Sequence, residues 1–470
     1  MIKFGTGGWR AIIGEDFTKA NVQLLAYAMC KKMKDEGVEK RGIVIGYDRR
    51  FLSDEASFWM AEVYAAEGVP CQLIDREAPT PLIMYVVKRD KLPYGMAITA
   101  SHNPALYNGV KIFIEGGRDA DEDITDTVEA YISKIDPSEV KTIPYAKALE
   151  EGKVIIINPL NAYLDSIIDS INMQAIKDAA LKVVLDPMFG VSKTSLQTIL
   201  MTARCDVDVI HDRHDALFGG RLPAPNTRTL RSLTDYVVEH GCDIGIATDG
   251  DADRLGVIDD QGRFLHPNEI LVLLYYYLMN YKDWKGSCVR NVATTHLLDA
   301  VAKGADQVCY EVPVGFKHIS GKMDETDAII GGESSGGLTV KGHIKGKDGI
   351  YAATLLIEMM AVTGRSLSEI YKEITDKYGS FLTAEADYRF SEERKIQINK
   401  LLMEEKKLPE FAVEIEKVSY LDGCKVYFKN GGWIIARFSG TEPLIRIFSE
   451  MPTTAEAEAA CKAMGEFLGL

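Results

Sequence analysis

A serine on a short polar loop is the first residue of this sequence that could do chemistry. Ser101 lies in Thr99-Ala-Ser-His-Asn-Pro104, directly after the apolar run Met96 to Ile98, which predicts a buried strand. Pro104 stops a helix, and Asn and Ser favour turns, so we expect the hydroxyl at the carboxyl edge of a sheet, where open α/β sheets bind ligands. Alone, the loop fits either a nucleophile or a turn whose polar side chains bond their own backbone.

A second loop carries three aspartates at alternate positions. Asp249, Asp251 and Asp253 follow a predicted strand, and such crowded carboxylates repel one another unless a cation lies between them. The expected cation is Mg²⁺, which prefers carboxylate oxygens. A solvated acidic turn is the alternative. An EF-hand calcium loop is excluded, because its sixth position requires glycine and holds Arg254 here, and the strand-like Leu255 to Ile258 follows. With three protein oxygens, an ion would keep open positions for a phosphate or a water.

A third loop, Arg437-Phe-Ser-Gly-Thr-Glu-Pro-Leu-Ile-Arg446, is suited to binding an anion. Its two arginines offer forked donors for phosphate. Further hydroxyl and backbone N–H donors come from Ser439, Gly440 and Thr441. A Ser-Gly-Thr turn between two strands with surface arginines fits the pattern as well.

A fourth loop, Gly331-Gly-Glu-Ser-Ser-Gly-Gly337, offers Glu333 and Ser335 as hydrogen-bonding partners for sugar hydroxyls, although a flexible glycine turn explains it equally. The four loops together supply a serine able to carry a phosphoryl group, a divalent metal, an anion clamp and a hydroxyl-reading segment. That combination predicts phosphoryl transfer on a phosphorylated, polyhydroxylated small molecule.

Composition and net charge limit the classes of protein to which this chain can belong. The 470 residues are 46% hydrophobic and 26% charged, which is ordinary for a soluble chain of several domains. A net charge of −15 argues against nucleic acid and acidic membranes as partners. The start, Met1-Ile-Lys-Phe, predicts no signal peptide, and the longest apolar run, Ile270 to Met279, is too short to span a membrane. Eight scattered cysteines favour reduced thiols, and we therefore expect a cytoplasmic protein.

The elements that must position these loops alternate between helix and strand over most of the chain. This alternation predicts three similar α/β/α layered domains with mixed sheets, followed by a C-terminal α+β domain, around a central cleft. The predicted domains are a serine-bearing domain, a metal-loop domain, a sugar-recognition domain and a phosphate-binding domain, at residues 1–150, 151–258, 259–375 and 376–470.

At this point the motifs, in their order along the chain, resemble the α-D-phosphohexomutase superfamily, the phosphoglucomutases and phosphomannomutases that interconvert hexose 1-phosphates and 6-phosphates. The resemblance covers essentially the whole chain. It includes the opening Phe4-Gly-Thr-Gly-Gly-Trp-Arg10, whose arginine lies in the family's active site, and Asn108-Gly-Val-Lys111, whose lysine serves near the transferring phosphoryl group.

The resemblance implies a mechanism. Ser101 would rest as phosphoserine, completing a site for one Mg²⁺ with Asp249, Asp251 and Asp253, and would pass its phosphoryl group to the bound sugar phosphate. The resulting hexose 1,6-bisphosphate turns end for end and returns its other phosphate to Ser101. Arg10 and Lys111 would neutralise charge, Lys111 also being a candidate general acid–base, while His102 would orient the loop. The implied substrate contacts are Arg254, Lys317, Glu333, Ser335, Lys347, Arg437, Ser439, Gly440, Thr441 and Arg446.

The sugar is predicted from departures within the family pattern. Mannose-type and glucosamine-type members tend to carry histidine where this chain has Gly337. The segments Val314-Gly-Phe-Lys317 and His343-Ile-Lys-Gly-Lys-Asp-Gly349 are more similar to phosphoglucomutases. We therefore expect glucose 1-phosphate and glucose 6-phosphate as substrates and glucose 1,6-bisphosphate as activator. Phosphomannomutase and phosphoglucosamine or N-acetylglucosamine mutase activities are the alternatives within the family.

Two other classes of protein fit part of the pattern. A phosphatase would also use a phosphoserine and a metal, but it must admit water to the phosphoserine. Four domains that close over a substrate would exclude that water. A non-catalytic sugar-phosphate sensor would be expected to lack Ser101 or an aspartate, and all are present. The oligomeric state stays open between monomer and homodimer.

Overall fold

The chain divides into two units in the computed structural model, which describes residues 2–5, 7–438 and 444–470. The first unit contains Met1–Pro267 and Ser335–Ser368, and the second contains Asn268–Ser334 and Glu369–Leu470.

A mixed sheet of eight strands forms the first part of the first unit. Its central strands are parallel, but the strand that leads to Ser101, Tyr94–Ile98, pairs antiparallel with Tyr107–Ile114, which carries Lys111. In order across the sheet the strands are Phe4–Gly5, Gly8–Ile12, Tyr107–Ile114, Tyr94–Ile98, Ile43–Tyr47, Cys71–Glu77 and Val154–Ile157, with Arg118–Asp119 paired to Tyr107–Ile114.

Helices cover this sheet, and local signals set their ends. Thr18 caps the first helix by accepting a hydrogen bond from the Asn21 N–H, and Gly68 ends the second in the left-handed conformation that glycine adopts without strain. The helices are Lys19–Asp35, Ser53–Glu67, Thr80–Arg89, Glu122–Ile132 and Tyr145–Glu150, with single 3₁₀ turns at Glu39–Arg41 and Pro137–Glu139.

A second mixed sheet follows in the same unit. Its strands, in spatial order, are Asp206–Val209, Lys182–Asp186, Ile244–Thr248, Leu255–Asp259 and Phe264–Leu265. The first three are parallel and the last two join antiparallel, so the aspartate loop is the turn between two neighbouring antiparallel strands. The helices are Leu160–Ile168, Met173–Ala179, Lys193–Thr202 and Arg231–His240, with a 3₁₀ turn at Phe218–Gly220.

The first unit is completed by a short later segment. It contains the strand Leu338–Val340 and the helix Gly349–Thr363, whose first turn is capped by Asp348. Most residues of this helix are buried, as expected for a helix that is apolar on nearly all sides.

The second unit begins with parallel strands. Cys288–Asn291 lies between Cys309–Val312 and Ile330–Gly332 and pairs parallel with both. The helices of this stretch of chain are Pro267–Asn280, Leu297–Gly304, Phe316–Thr326 and Leu367–Tyr378.

An antiparallel sheet of five strands ends the chain. In spatial order its strands are Leu382–Arg389, Leu444–Met451, Trp433–Phe438, Cys424–Phe428 and Ile415–Ser419. The helices are Glu392–Asn399, continued by a π-helical turn at Lys400–Glu404, and Thr454–Phe467. Apolar side chains of the sheet and helices, such as Ile447 and Met464, form one core.

The predicted fold class is confirmed: three α/β/α layered domains with mixed sheets precede a domain with an antiparallel sheet. Ser101, Asp249 and Glu333 each follow the end of a strand. Among the described residues, no single helix has the length and apolar composition needed to cross a membrane; Gly349–Thr363 and Leu367–Tyr378 meet that test only when counted as a pair.

Candidate active site

Ser101 lies next to the aspartate loop. The strand Tyr94–Ile98 and the strand Ile244–Thr248 each end in a polar loop, and these loops meet where the Ser101 hydroxyl donates to Asp249 Oδ2 at 3.0 Å. Ser101 is only 1% exposed. Two residues separated by 148 positions in the chain are therefore joined at one site.

The three aspartates converge. One carboxylate oxygen from each of Asp249, Asp251 and Asp253 lies within 4.8 Å of the other two, and all three residues are buried. Asp249 Oδ1 also accepts a hydrogen bond from the Arg254 backbone N–H at 3.1 Å, which closes the loop on itself.

Lys111 supplies the nearest positive charge. Its register opposite Ala97 on the neighbouring strand carries the ammonium group to the aspartates, where Nζ donates to Asp251 Oδ2 and to Asp253 Oδ2, both at 2.6 Å. Burial lowers the Lys111 pKa, but Asp251 and Asp253 outweigh that effect and hold the pKa above its usual range. Lys111 is therefore a fixed cation of the site.

The two outer aspartates differ in proton affinity. Burial and the carboxylates of Asp251 and Asp253 hold the pKa of Asp249 well above its usual range. Burial also raises the pKa of Asp253, but the ammonium groups of Lys111 and Lys347 outweigh it, so this pKa lies well below the usual range. Ionisation is therefore least compensated at Asp249, the aspartate that contacts Ser101, and this carboxylate is the one of the two with the greater affinity for a proton.

A divalent cation fits this cluster. Among the residues that the structure describes, Asp251 Oδ1 and Asp253 Oδ1 are buried without a hydrogen-bond partner, whereas their Oδ2 atoms are bound by Lys111. A buried carboxylate oxygen without a partner is costly, and hard oxygen donors of this kind are those that Mg²⁺ prefers.

Three further predicted cations line the same region of the first unit. Arg10 sits opposite Gly109 on the strand next to the one that carries Lys111, and burial and Arg254 lower its pKa. The Arg254 Nε lies 4.0 Å from Asp253 Oδ1. Lys347 Nζ lies 3.0 Å from Asp253 Oδ2.

Gly337 provides the space through which Lys347 passes. A Cβ built on Gly337 would lie 2.3 Å from the Lys347 Cδ, which is too close for any side chain at that position unless the lysine moves. Gly337 also forms an antiparallel bridge with Arg254. Ser335, two residues earlier, is exposed.

The His102 ring makes only a long contact with the Ser101 hydroxyl. Its Nδ1 is 3.4 Å from Ser101 Oγ. The positive charge of Arg254, then burial and Arg10, hold the His102 pKa well below its usual range, so the ring is neutral.

The remaining predicted residues belong to the second unit. Glu333 is largely buried and its Oε1 accepts from the Gly315 N–H at 3.1 Å and from Asn291 Nδ2 at 3.3 Å. Lys317 stands in the first turn of the helix Phe316–Thr326.

Arg437 and Arg446 are brought together by strand pairing. They lie directly opposite each other on the strands Trp433–Phe438 and Leu444–Met451. Arg437 Nε donates to Asp422 Oδ2 at 2.8 Å. The predicted donors Ser439, Gly440 and Thr441 lie outside the described residues.

Thr80 contacts the aspartate loop, and the sequence did not predict this contact. Its hydroxyl donates to Asp251 Oδ2 at 2.7 Å, and its backbone N–H donates to the Asp251 carbonyl at 2.9 Å. Thr80 opens the helix Thr80–Arg89 and lies 171 positions from Asp251. The segment Pro79-Thr80-Pro81 marks a helix start, but nothing in it indicates a distant carboxylate partner.

Family models match four stretches of the chain. They are described as phosphoglucomutase/phosphomannomutase α/β/α domain I at residues 1–139, domain II at 161–262, domain III at 266–378, and the C-terminal domain at 398–466.

Named relatives are similar over nearly the full length. A phosphoglucomutase/phosphomannomutase of Thermococcus kodakarensis is 30% identical over 97% of this chain and 95% of its own. A probable phosphoglucosamine mutase of Pyrococcus furiosus is also 30% identical, over 98% of this chain and 96% of its own.

Solved structures share the fold. A crystal structure from Thermus thermophilus has a TM-score of 0.86 and 27% identity, covering 100% of this chain and 99% of that one. A phosphoglucomutase/phosphomannomutase family protein of Burkholderia thailandensis has a TM-score of 0.83 at 20% identity, covering 99% and 98%.

Proposed function

Because the chain belongs to the phosphoglucomutase/phosphomannomutase family and is a phosphohexomutase, we propose that it interconverts glucose 1-phosphate and glucose 6-phosphate through a phosphoserine at Ser101. The observation that carries the proposal is the Ser101 hydroxyl 3.0 Å from Asp249, at the edge of three converging carboxylates. A phosphoryl group on that oxygen would sit beside a cation held by the aspartates.

Asp249, Asp251 and Asp253, with an oxygen of the Ser101 phosphoryl group, are the proposed ligands of one Mg²⁺. When bound, the ion would neutralise phosphoryl charge and orient the group for in-line transfer. Thr80 and Lys111 both bind Asp251 Oδ2, which leaves Oδ1, without a hydrogen-bond partner among the described residues, available to the ion.

Fixed cations would stabilise the reacting phosphate. The Lys111 ammonium lies between two carboxylates, which supports a charge-neutralising role over general acid–base work. Arg10, Arg254 and Lys347 add positive charge, and we assign Arg254 and Lys347 to the substrate's phosphate. His102 is proposed to orient the Ser101 loop, since its contact with the hydroxyl is long.

A separate clamp would hold the phosphate that is not reacting. Arg437 and Arg446 suit this role, because strand pairing places them opposite each other and an anion bound by both would relieve the repulsion of like charges. We propose that the remaining contacts to phosphate and sugar hydroxyls come from Lys317, Glu333, Ser335, Ser439, Gly440 and Thr441. The sugar bisphosphate must turn between two half-reactions, and the same clamp would then receive either phosphate.

Glucose is proposed as the sugar because of Gly337. The side-chain space that a histidine would need at this position is filled by Lys347, whose ammonium reaches the aspartates. Phosphoglucosamine mutase is the second candidate, since a relative of that name is as similar as the phosphoglucomutase/phosphomannomutase. Mannose phosphates are the third.

A coupled assay decides between the sugars. Initial rates are measured on glucose, mannose and glucosamine 1-phosphates with Mg²⁺ and a trace of the matching 1,6-bisphosphate, and compared as kcat/KM. We expect glucose 1-phosphate to give the highest value. A clear preference for mannose or glucosamine 1-phosphate would replace glucose as the substrate while leaving the phosphoserine mechanism in place.

Several broader properties complete the proposal. We propose glucose 1,6-bisphosphate as activator, a cytoplasmic location, a monomer or homodimer, and domain limits at residues 1–150, 151–258, 259–375 and 376–470. The intact mass separates the enzyme from a sugar-phosphate sensor, because only an enzyme that carries phosphoserine gains one phosphoryl group that Ser101→Ala removes.

A further inference from the structure

The backbone of Ser101 is held in an unusual conformation. Its φ of 54° lies in the left-handed region, which non-glycine residues adopt at a cost of about 1–3 kcal/mol unless their surroundings hold them there. Residues that keep this geometry therefore also decide where the Ser101 hydroxyl points.

One buried guanidinium binds the whole serine loop. Arg50 donates from NH2 to the carbonyls of Ser101 at 2.6 Å and Asn103 at 2.7 Å, and from NH1 to those of Pro104 and Tyr107, both at 2.9 Å. The Arg50 side chain is completely buried. One planar group thus binds carbonyls of four residues in this segment, and the Pro104 carbonyl also accepts from the Tyr107 N–H at 3.0 Å.

The N–H of Ser101 is tied to the same arginine by a second route. It donates to Thr99 Oγ1 at 2.8 Å, and the Thr99 hydroxyl donates in turn to Asp48 Oδ2 at 2.6 Å. The same Asp48 oxygen lies 3.3 Å from Arg50 Nε. Both the N–H and the carbonyl of Ser101 are therefore fixed by the Asp48–Arg50 pair.

The opposite side of the loop is closed by the neighbouring domain. The Phe218 ring lies 4.8 Å from the Arg50 guanidinium, and a Cβ on Gly250 would come within 2.8 Å of the Ser101 carbonyl oxygen. Gly250 lies between Asp249 and Asp251. The Ser101 carbonyl is thus held between the Arg50 guanidinium and the backbone of the aspartate loop, which sets the distance from the hydroxyl to Asp249.

We propose that Arg50 is a positioning residue for phosphoryl transfer: it holds the Ser101 loop so that the serine oxygen faces the aspartate cluster and the incoming sugar phosphate. The Arg50 guanidinium binds backbone carbonyls of this loop, so it acts on the serine oxygen indirectly. The inference rests on the proposed phosphoserine role of Ser101.

The test is Arg50→Lys, which keeps the charge but cannot bind four carbonyls. A misplacement near 1 Å costs on the order of 100-fold in rate, so kcat and the rate at which Ser101 is phosphorylated by glucose 1,6-bisphosphate should both fall by about that factor. KM should stay within about threefold, because the phosphate clamp is untouched.

Arg49→Lys is the matched control. Arg49 Nη1 donates to the carbonyls of Phe189 at 3.5 Å and Asp212 at 3.2 Å, and both acceptors lie outside the serine loop. The kcat and KM of the Arg49→Lys variant are expected to equal those of the wild type.

Thr99→Val gives a second, milder perturbation in case Arg50→Lys does not fold. It removes only the link from Asp48 to the Ser101 N–H, and should lower kcat about tenfold at unchanged KM. If Arg50→Lys folds and has the kcat of the wild type, the inference is overturned. If Arg50→Lys does not fold, a wild-type kcat in Thr99→Val overturns it. Parallel changes in kcat and KM would also overturn it. If the wild type itself acquires no phosphoserine at Ser101, the proposed function fails instead.

Discussion

Gly337 and Lys347 share one space in the first unit: the Cδ of Lys347 occupies a point 2.3 Å from where a Cβ of residue 337 would be. The same lysine ends 3.0 Å from Asp253 Oδ2. Because Gly337 has no side chain, the Lys347 ammonium can reach the aspartate cluster. The residue type at position 337 therefore determines where the Lys347 side chain lies.

Gly337→Ala should displace Lys347 and lower kcat/KM for glucose 1-phosphate about tenfold, because a phosphate contact is lost. The decisive measurement is a double-mutant cycle with Lys347→Met, in which the alanine should have little further effect. Gly321→Ala serves as the control, since a Cβ there meets nothing within 4 Å. Equal losses from Gly337→Ala in both backgrounds would show that it does not act through Lys347.

Asp251→Asn should abolish Mg²⁺ binding while leaving the fold intact. The amide oxygen can still accept from Thr80 and Lys111, but the site loses one of its three negative charges. Calorimetric titration should show Mg²⁺ binding to the wild type and none to the variant, with Tm in the absence of metal changed by less than about 4 °C.

Asp260→Asn, outside the cluster, is the control for the loss of an aspartate and should bind Mg²⁺ like the wild type. Wild-type Mg²⁺ affinity in Asp251→Asn would remove Asp251 from the proposed ligands. An aggregated Asp251→Asn would assign the residue a structural role.

Arg446→Gln should raise KM about tenfold with a small change in kcat, because the clamp holds the phosphate that does not react. Inorganic phosphate should also raise the Tm of the wild type, since Arg437 and Arg446 are paired on neighbouring strands, and this rise should shrink in the variant. The exposed Arg389 on the same sheet provides the control as Arg389→Gln. A variant that loses kcat at constant KM would contradict the clamp.

Lys425 should make stability depend on pH. Its side chain is 2% exposed, and burial and Arg290, opposed by Glu311, lower its pKa to about 7 from 10.5. Between these two pH values the unfolded chain binds more protons than the folded one, so the free energy of unfolding should rise with pH, by at most about 1.4 kcal/mol per unit.

The measurement is chemical unfolding of the wild type and Lys425→Met between pH 7 and 10, over which the variant should show a flatter profile. The titratable and charged groups that interact with Lys425 stay in place in this comparison: Arg290, His296, Asp299 and Glu311. A wild-type profile that falls over this range, or equal slopes in both proteins, would contradict the low pKa of Lys425.

Local sequence signals were sufficient for the elements and the centre of the site. The turn chemistry after Ile98 and Thr248 placed Ser101 and the aspartates at strand ends, because Gly, Pro, Asn and Asp act within a few residues. Thr80 and the pairing of Lys111 with two aspartates depend on chain segments more than 100 residues apart. No local pattern carries such contacts, so only the folded structure reveals them.

The phosphoryl group on Ser101 is the central claim, and mass spectrometry tests it most directly. The protein is incubated with glucose 1,6-bisphosphate and Mg²⁺, freed of small molecules, and measured intact and after digestion, before and after glucose 1-phosphate is added. We predict one phosphoryl group, located on Ser101, that glucose 1-phosphate removes with formation of bisphosphate and that water does not remove. A protein without that group, a group on another residue, or its loss to water would contradict the account.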